Sequence, residues 1–325
     1  MSFSLNPVLA REVRERFRGR RAPLFVTLWV LGVGLIGYLV YVIAQYAAQD
    51  AFGLGQAVAG GYMGRFIYEG MLFLLMTGVV MIVPGLTSLS IIGERERQTF
   101  HLLQVTQLSA LQIVLGKLWS SMSYFLLLLV AVAPVVAVPL LFGGVRITDL
   151  LAGLGMVLLT AVMLGSVGIW ASSRARSSRG AVAAAYTWSF VLAFITLAAM
   201  AGELLLVHDG TGFPAQGREI VSVLPNPYVG MVSAAVHPLG TDGVSGTPFD
   251  IVEVLLLQRQ GYDAFGFGVD LGPDAARALP LRRPPVWMFT VGIYLVIVVG
   301  ALWGATRRVT APASRIRPLR RANGT

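Results

Sequence analysis

The chain has 325 residues, 56% hydrophobic and 13% charged, with a formal net charge of +9 and no cysteine. An average soluble domain carries about 25% charged residues, so this composition excludes a water-soluble fold of the same length and places the chain in a bilayer. The missing cysteine excludes disulfides and thiolate chemistry, and nucleic-acid binding is excluded because the arginines lie in short runs beside apolar segments instead of on a polar domain.

In chain order, residues 1–22 predict a helix that lies flat on the inner leaflet. Asn6 caps it and Pro7 takes its first position, where a missing N–H is harmless. Leu9, Val13 and Phe17 line one face, Arg14 and the other arginines cover the rest, and Glu12 pairs with Arg16 in the favourable order. The apolar run that follows is too long for a signal peptide and lacks a small-x-small exit, so it stays as an anchor.

A helix needs about 20 apolar residues to cross the hydrocarbon layer. Six segments qualify: Leu24–Tyr46, Ile67–Ile92, Leu111–Val138, Leu150–Ala171, Ala181–Val207 and Val286–Thr306. Unpaired backbone groups are excluded from lipid, which makes all six helical. Pro84-Gly85 and Pro134 predict kinks in the second and third. The fold class is therefore an all-α polytopic membrane protein: residues 23–207 hold five spans, 208–285 an extracytoplasmic loop, 286–306 the sixth span and 307–325 a basic tail.

The arginines set the orientation. Those of the N-terminal segment, Arg95, Arg97, Lys117, Arg174, Arg176, Arg179 and the six arginines after Thr306 fall on one side, while the two short loops opposite hold only Arg65 and Arg146. Basic residues stay inside, so both termini are expected in the cytoplasm and the tail near anionic lipid. In the outer loop, Val221–Val236 is apolar enough to dip into the bilayer surface. Its Gly266–Gly272 run, GFGVDLG, reads as a turn-rich loop, since no strand precedes it.

Between the second and third spans stands Gly93–Lys117, GERERQTFHLLQVTQLSALQIVLGK. Glu94 and Glu96 fall in the first turn of a short helix, where the dipole favours acids. Phe100, Leu103 and Leu102 give it an apolar side, Gln104–Gln107 breaks it, and Ser109-Ala110-Leu111-Gln112 is a capping box that starts the next span. This is a charged knob attached directly to two membrane helices; a plain loop would need none of it.

Autonomous catalysis has no candidates. Gly116-Lys117 lacks the loop glycine and the hydroxyl of a phosphate-binding loop, the three histidines are far apart, and Glu69 and Glu203 fall toward helix ends, where interfacial solvation is expected. No cofactor or metal site is expected on this chain.

At these residues the chain resembles the permease subunits of type-2 ABC transporters, largely exporters. NPVLAREVRERFRGRRAP is similar to the family's N-terminal interfacial helix, GERERQTFHLLQVTQLSALQIVLGKL to its signature, and SSRARSSRGA (Ser172–Ala181) to its turn between the fourth and fifth spans. The signature departs at Gln98, where glycine is usual, at His101, usually acidic, and at Gln107, usually proline. The resemblance implies that Glu94–Leu103, within residues 93–108, is a coupling helix. Glu94, Arg95, Glu96, Arg97, Thr99, Phe100, Leu102 and Leu103 would meet a separate ABC ATPase subunit carrying ATP and magnesium. It also implies a dimer with a second copy or a related permease, in the bacterial inner membrane.

Two other classes stand beside this one. An ion-coupled secondary transporter working alone is expected to show inverted repeats and ionisable groups at mid-membrane, and neither is visible in the sequence. A non-transporting membrane scaffold or sensor is the other.

Overall fold

The computed structural model describes residues 21–50, 56–98, 109–206, 221–235, 252 and 284–310. Among the described residues every regular element is helical. In chain order they are α1 (Arg21–Asp50), α2 (Gln56–Ser88), α3 (Ile92–Glu96), α4 (Ala110–Val136), a 3₁₀ turn (Val138–Leu141), α5 (Ile147–Arg174), α6 (Ser178–Phe190), a π turn (Val191–Ile195), α7 (Thr196–Leu206), α8 (Pro227–Ala235) and α9 (Val286–Thr310).

Six stretches are long and apolar enough to cross a membrane: Pro23–Tyr46, Met63–Glu96, Ala110–Leu141, Ile147–Arg174, Ser178–Met200 and Val286–Val309. They coincide with the six expected spans to within a turn at most ends. The protein is a multi-pass all-α membrane protein. Pro84 and Pro134 both lie inside helices.

Helix α5, the fourth span, is the hub. It packs against α2, α4, α6, α8 and α9, and Val157, Ala161, Met163 and Ile169 are wholly buried along it. Apolar side chains gain little by leaving lipid for one another, so spans associate through close van der Waals packing and hydrogen bonds, and small residues permit the approach. Gly168 is the clearest instance: a Cβ there would fall 2.0 Å from Thr87 Oγ1 on α2. The first span lies at the other extreme. Leu24, Leu28, Leu31 and Leu35 are exposed on one stripe of α1.

The described part of Val221–Val236 is built into the bundle: α8 is buried between α5 and α9, with Met231 and Val232 wholly covered. The reason is an anchor that periodicity does not reveal. The π turn in the fifth span frees carbonyls from the regular ladder, and the buried Asn226 amide donates to Ala193 O at 3.2 Å and Thr196 Oγ1 at 2.7 Å. Its own oxygen accepts from Tyr228 N and Val229 N, capping α8. Thr290 Oγ1 then donates to Leu224 O and Tyr294 to Pro225 O, which ties the same turn to α9.

One expectation is corrected, at Glu69. It is wholly buried, not solvated at an interface, and pairs with Arg65 at 3.0 Å on the preceding helical turn. A buried carboxylate needs a partner, and α2 brings its own. Glu203 is half-buried and accepts from Ser222 Oγ at 2.7 Å.

Candidate functional site

The polar interruption begins where α2 ends at Ser88 and a tight turn leads into α3. Ser90 N and Oγ both donate to Thr87 O, which closes that turn. Its next two amides, Ile91 N and Ile92 N, both donate to Ser172 Oγ at 3.0 Å, near the end of α5. The start of a helix leaves amide donors without intrahelical acceptors, and a serine from a different span supplies one here.

The alternating charges then each meet a different neighbour. Glu94 Oε1 accepts from Lys117 Nζ at 2.6 Å. Lys117 belongs to α4 and is 2% exposed, so this pair joins the short helix to the third span. Arg95 Nη1 donates to Ser173 O at 2.9 Å. That carbonyl is in the last turn of α5, where the helix dipole favours a cation. Glu96 accepts from Ser178 N at 2.7 Å and from Ser178 Oγ at 2.5 Å. Ser178 is the first residue of α6, where the dipole favours an anion.

The motif is therefore a socket. The acid–base–acid order of Glu94, Arg95 and Glu96 matches, residue by residue, a buried ammonium, a helix C-terminus and a helix N-terminus. Through them α3 is fixed to the third, fourth and fifth spans, and it is continuous with the second. Charge-assisted bonds of this kind are about twice as strong as neutral ones.

Helix α3 is only five residues long. Arg97 is its C-cap and is exposed, with no side-chain bond among the described residues. Gln98 follows in the left-handed region, φ 57°, a conformation that glycine adopts without strain and glutamine does not. The expected helix over Glu94–Leu103 thus shows its described break at Gln98, the position where the resembled signature carries glycine. Thr99, Phe100, Leu102 and Leu103 lie outside the described residues, as do Leu9, Val13, Arg14 and Phe17 of the N-terminal helix. On the far side of the interruption, the capping box is present: Gln112 N donates to Ser109 Oγ at 3.3 Å and Ser109 N to Gln112 Oε1 at 2.9 Å.

Sequence reasoning brought Glu94, Arg95 and Glu96 forward as surface groups and missed their partners Lys117, Ser173 and Ser178, as it missed Ser172, which accepts from the Ile91 and Ile92 amides. One signal was available. Lys117 is the only lysine of the chain and begins an otherwise apolar run, and a charge there requires a counter-ion.

A family model described as ABC-2 family transporter protein matches residues 7–222, about two-thirds of the chain. The chain belongs to the ABC-2 transporter family. It is a membrane permease component of an ABC transporter, the transmembrane part and not the catalytic one. The match takes in the socket, the hub helix and the π turn; the sixth span lies beyond it. A search of curated proteins returns no match.

Proposed function

We propose that this ABC-2 permease is the path-forming half of an ATP-driven exporter in the bacterial cytoplasmic membrane. Its termini and α3 face the cytoplasm, and ATP and magnesium are held by a separate ATPase subunit. Two permeases, identical or related, and two ATPases make the working unit.

One observation carries the coupling role: α3 is bonded to three spans through three consecutive charged side chains and is continuous with a fourth. A protein that grips the cytoplasmic surface at this point grips four spans at once. Arg97, exposed beside the socket, is the described residue of the motif that remains available to the ATPase. The stretch from Thr99 to Leu103 supplies the rest of the contact.

The mechanism follows from linkage. A ligand shifts a conformational equilibrium only by its difference in affinity for the two states. ATP-bound and ATP-free ATPases therefore bind two positions of α3 with different affinity. Because Glu94, Arg95 and Glu96 bond to other spans, displacement of α3 becomes displacement of the bundle around α5, and the path between permeases opens or closes. The chain's own residues transmit motion and perform no hydrolysis.

The test is co-purification and ATP turnover with a co-expressed ABC ATPase subunit. Arg97→Glu is expected to weaken co-purification at least tenfold while the permease still inserts and stays monodisperse. Full retention of the ATPase by that variant, with unchanged turnover, removes the docking assignment.

A further inference from the structure

The arginine-rich end of the bundle holds a second constellation that the socket does not use. On α5, the Arg174 guanidinium lies 5.0 Å from the centre of the Trp170 ring one turn earlier. On α9, the Arg307 guanidinium lies 3.6 Å from the centre of the Trp303 ring, again one turn earlier. The two helices meet at this level because residue 304 is glycine: a Cβ there would fall 2.9 Å from Trp170 Cδ1 and Nε1. Arg174 is four residues beyond Trp170 and Arg307 three beyond Gly304, so both arginines branch from the chain about one turn beyond that contact and fold back over the indoles of adjoining helices.

Among the described residues no acid neutralises them. Among the described residues, the carboxylates at this end are Glu94 and Glu96, and these are engaged by Lys117 and Ser178. Neither Arg174 nor Arg307 makes an ion pair among the described residues, and both are exposed. Arg308 adds to the charge, lying close enough to Arg95 for the two to repel. Among the described residues, an anion is what this geometry lacks. The aromatic walls say which one: Trp303 is 58% exposed and Trp188, edge-on to Trp170 at 6.3 Å, is 44% exposed. Indoles with an apolar body and a wet edge belong at the headgroup level of a membrane.

We propose that the ends of α5 and α9 form a binding site for the phosphate of an anionic phospholipid, held by Arg174 and Arg307 with its acyl chains against Trp303 and Trp188. A guanidinium fork matches two phosphate oxygens, and stacking on indole holds each fork in place before the lipid arrives. The site rests on the membrane placement of these helices and on neither the ATPase nor the direction of transport.

The test counts lipids retained on the detergent-purified full chain by native mass spectrometry, with phosphatidylglycerol and phosphatidylcholine offered in equal amounts. Two basic residues at an anionic surface correspond to a preference of about thirtyfold for phosphatidylglycerol. R174Q/R307Q is expected to reduce that preference to nearly none, and R176Q/R179Q, which removes as much charge from the turn before α6 and its first turn, to keep most of it. Equal loss in both double variants overturns the site, leaving only a general effect of charge. Displacement of the lipid by millimolar inorganic phosphate also overturns it, in favour of a free anion. So does an unchanged lipid preference in R174Q/R307Q with loss of ATPase co-purification, which would turn these arginines toward protein. Should R174Q/R307Q fail to fold, the unmodified chain still decides: no preference, or displacement by phosphate, rejects the site.

Discussion

Lys117 Nζ and Glu94 Oε1 lie 2.6 Å apart, the lysine 2% exposed at the head of one span and the glutamate on the short helix that follows another. Twenty-three residues separate them in sequence. An ammonium placed this deep is stable only with its carboxylate, and removing one member of a buried pair costs about 3–5 kcal/mol. Glu94 is partly exposed at 26%, which lowers the expectation to about 2–3 kcal/mol. Glu94→Gln and Lys117→Met are each expected to lower the thermal midpoint of the purified permease. The double variant Glu94→Gln, Lys117→Met should recover most of the loss, because no charge is then left unpaired. If the double variant loses the sum of the two, the pair is not coupled.

Gln98 sits at φ 57° immediately after α3. A non-glycine residue in that conformation costs about 1–2 kcal/mol. Gln98→Gly is therefore expected to raise stability by about 1 kcal/mol, and Gln98→Val to lower it by more, since β-branching is worst there. Thermal unfolding in detergent reads both. A glycine variant no more stable than the parent would show that Gln98 is not held in this conformation.

Gly168 faces Thr87 with no room for a methyl group. Overpacking a close contact costs typically about 1–3 kcal/mol, so Gly168→Ala should destabilise by that amount, while Gly155→Ala on the same helix, which meets open space, should be nearly silent. The contrast between them in thermal unfolding measures how much the approach of α2 to the hub contributes. Equal effects would mean that the approach contributes nothing specific.

Asn226 serves both the π turn and the first amides of α8. Leaving such buried groups unsatisfied costs about 1–3 kcal/mol each. Asn226→Ala is expected to lose at least 2 kcal/mol and to speed amide exchange at Tyr228 and Val229 at least tenfold. Unchanged exchange there would mean that α8 is held by packing alone.

The spans were legible because a bilayer imposes one length and one composition on any helix that crosses it, and α1, α2, α4, α5, α9 and the run of α6 through the π turn into α7 all obey. The capping box at Ser109 was legible because both partners are local, three residues apart. What the sequence did not disclose was every contact made at long range. Glu94, Arg95 and Glu96 read as a solvated knob because nothing local satisfies them, and their partners arrive from helices 23, 78 and 82 residues away. Glu69 was misplaced for the opposite reason: its partner Arg65 is local, but its burial is set by the packing of α2. The burial of the segment around Asn226 between α5 and α9 was not legible either, because its apolar residues show no period that tells lipid from protein. The order of charges in GERER was visible from the start; its match to one buried lysine and two helix ends needed the bundle.

The central claim is that α3 travels as one body with the spans it is bonded to. The chain has no cysteine, so Glu96→Cys with Ser178→Cys introduces a unique pair at a contact whose side chains already touch. ATP turnover of the reconstituted permease–ATPase complex is then measured before and after oxidation of that pair. The account predicts that the disulfide-locked permease supports turnover at least as well as its reduced form, because the lock replaces a bond that persists through the cycle. Turnover lost on oxidation and restored by reductant would contradict it, showing that α3 must part from the fifth span to transmit the stroke.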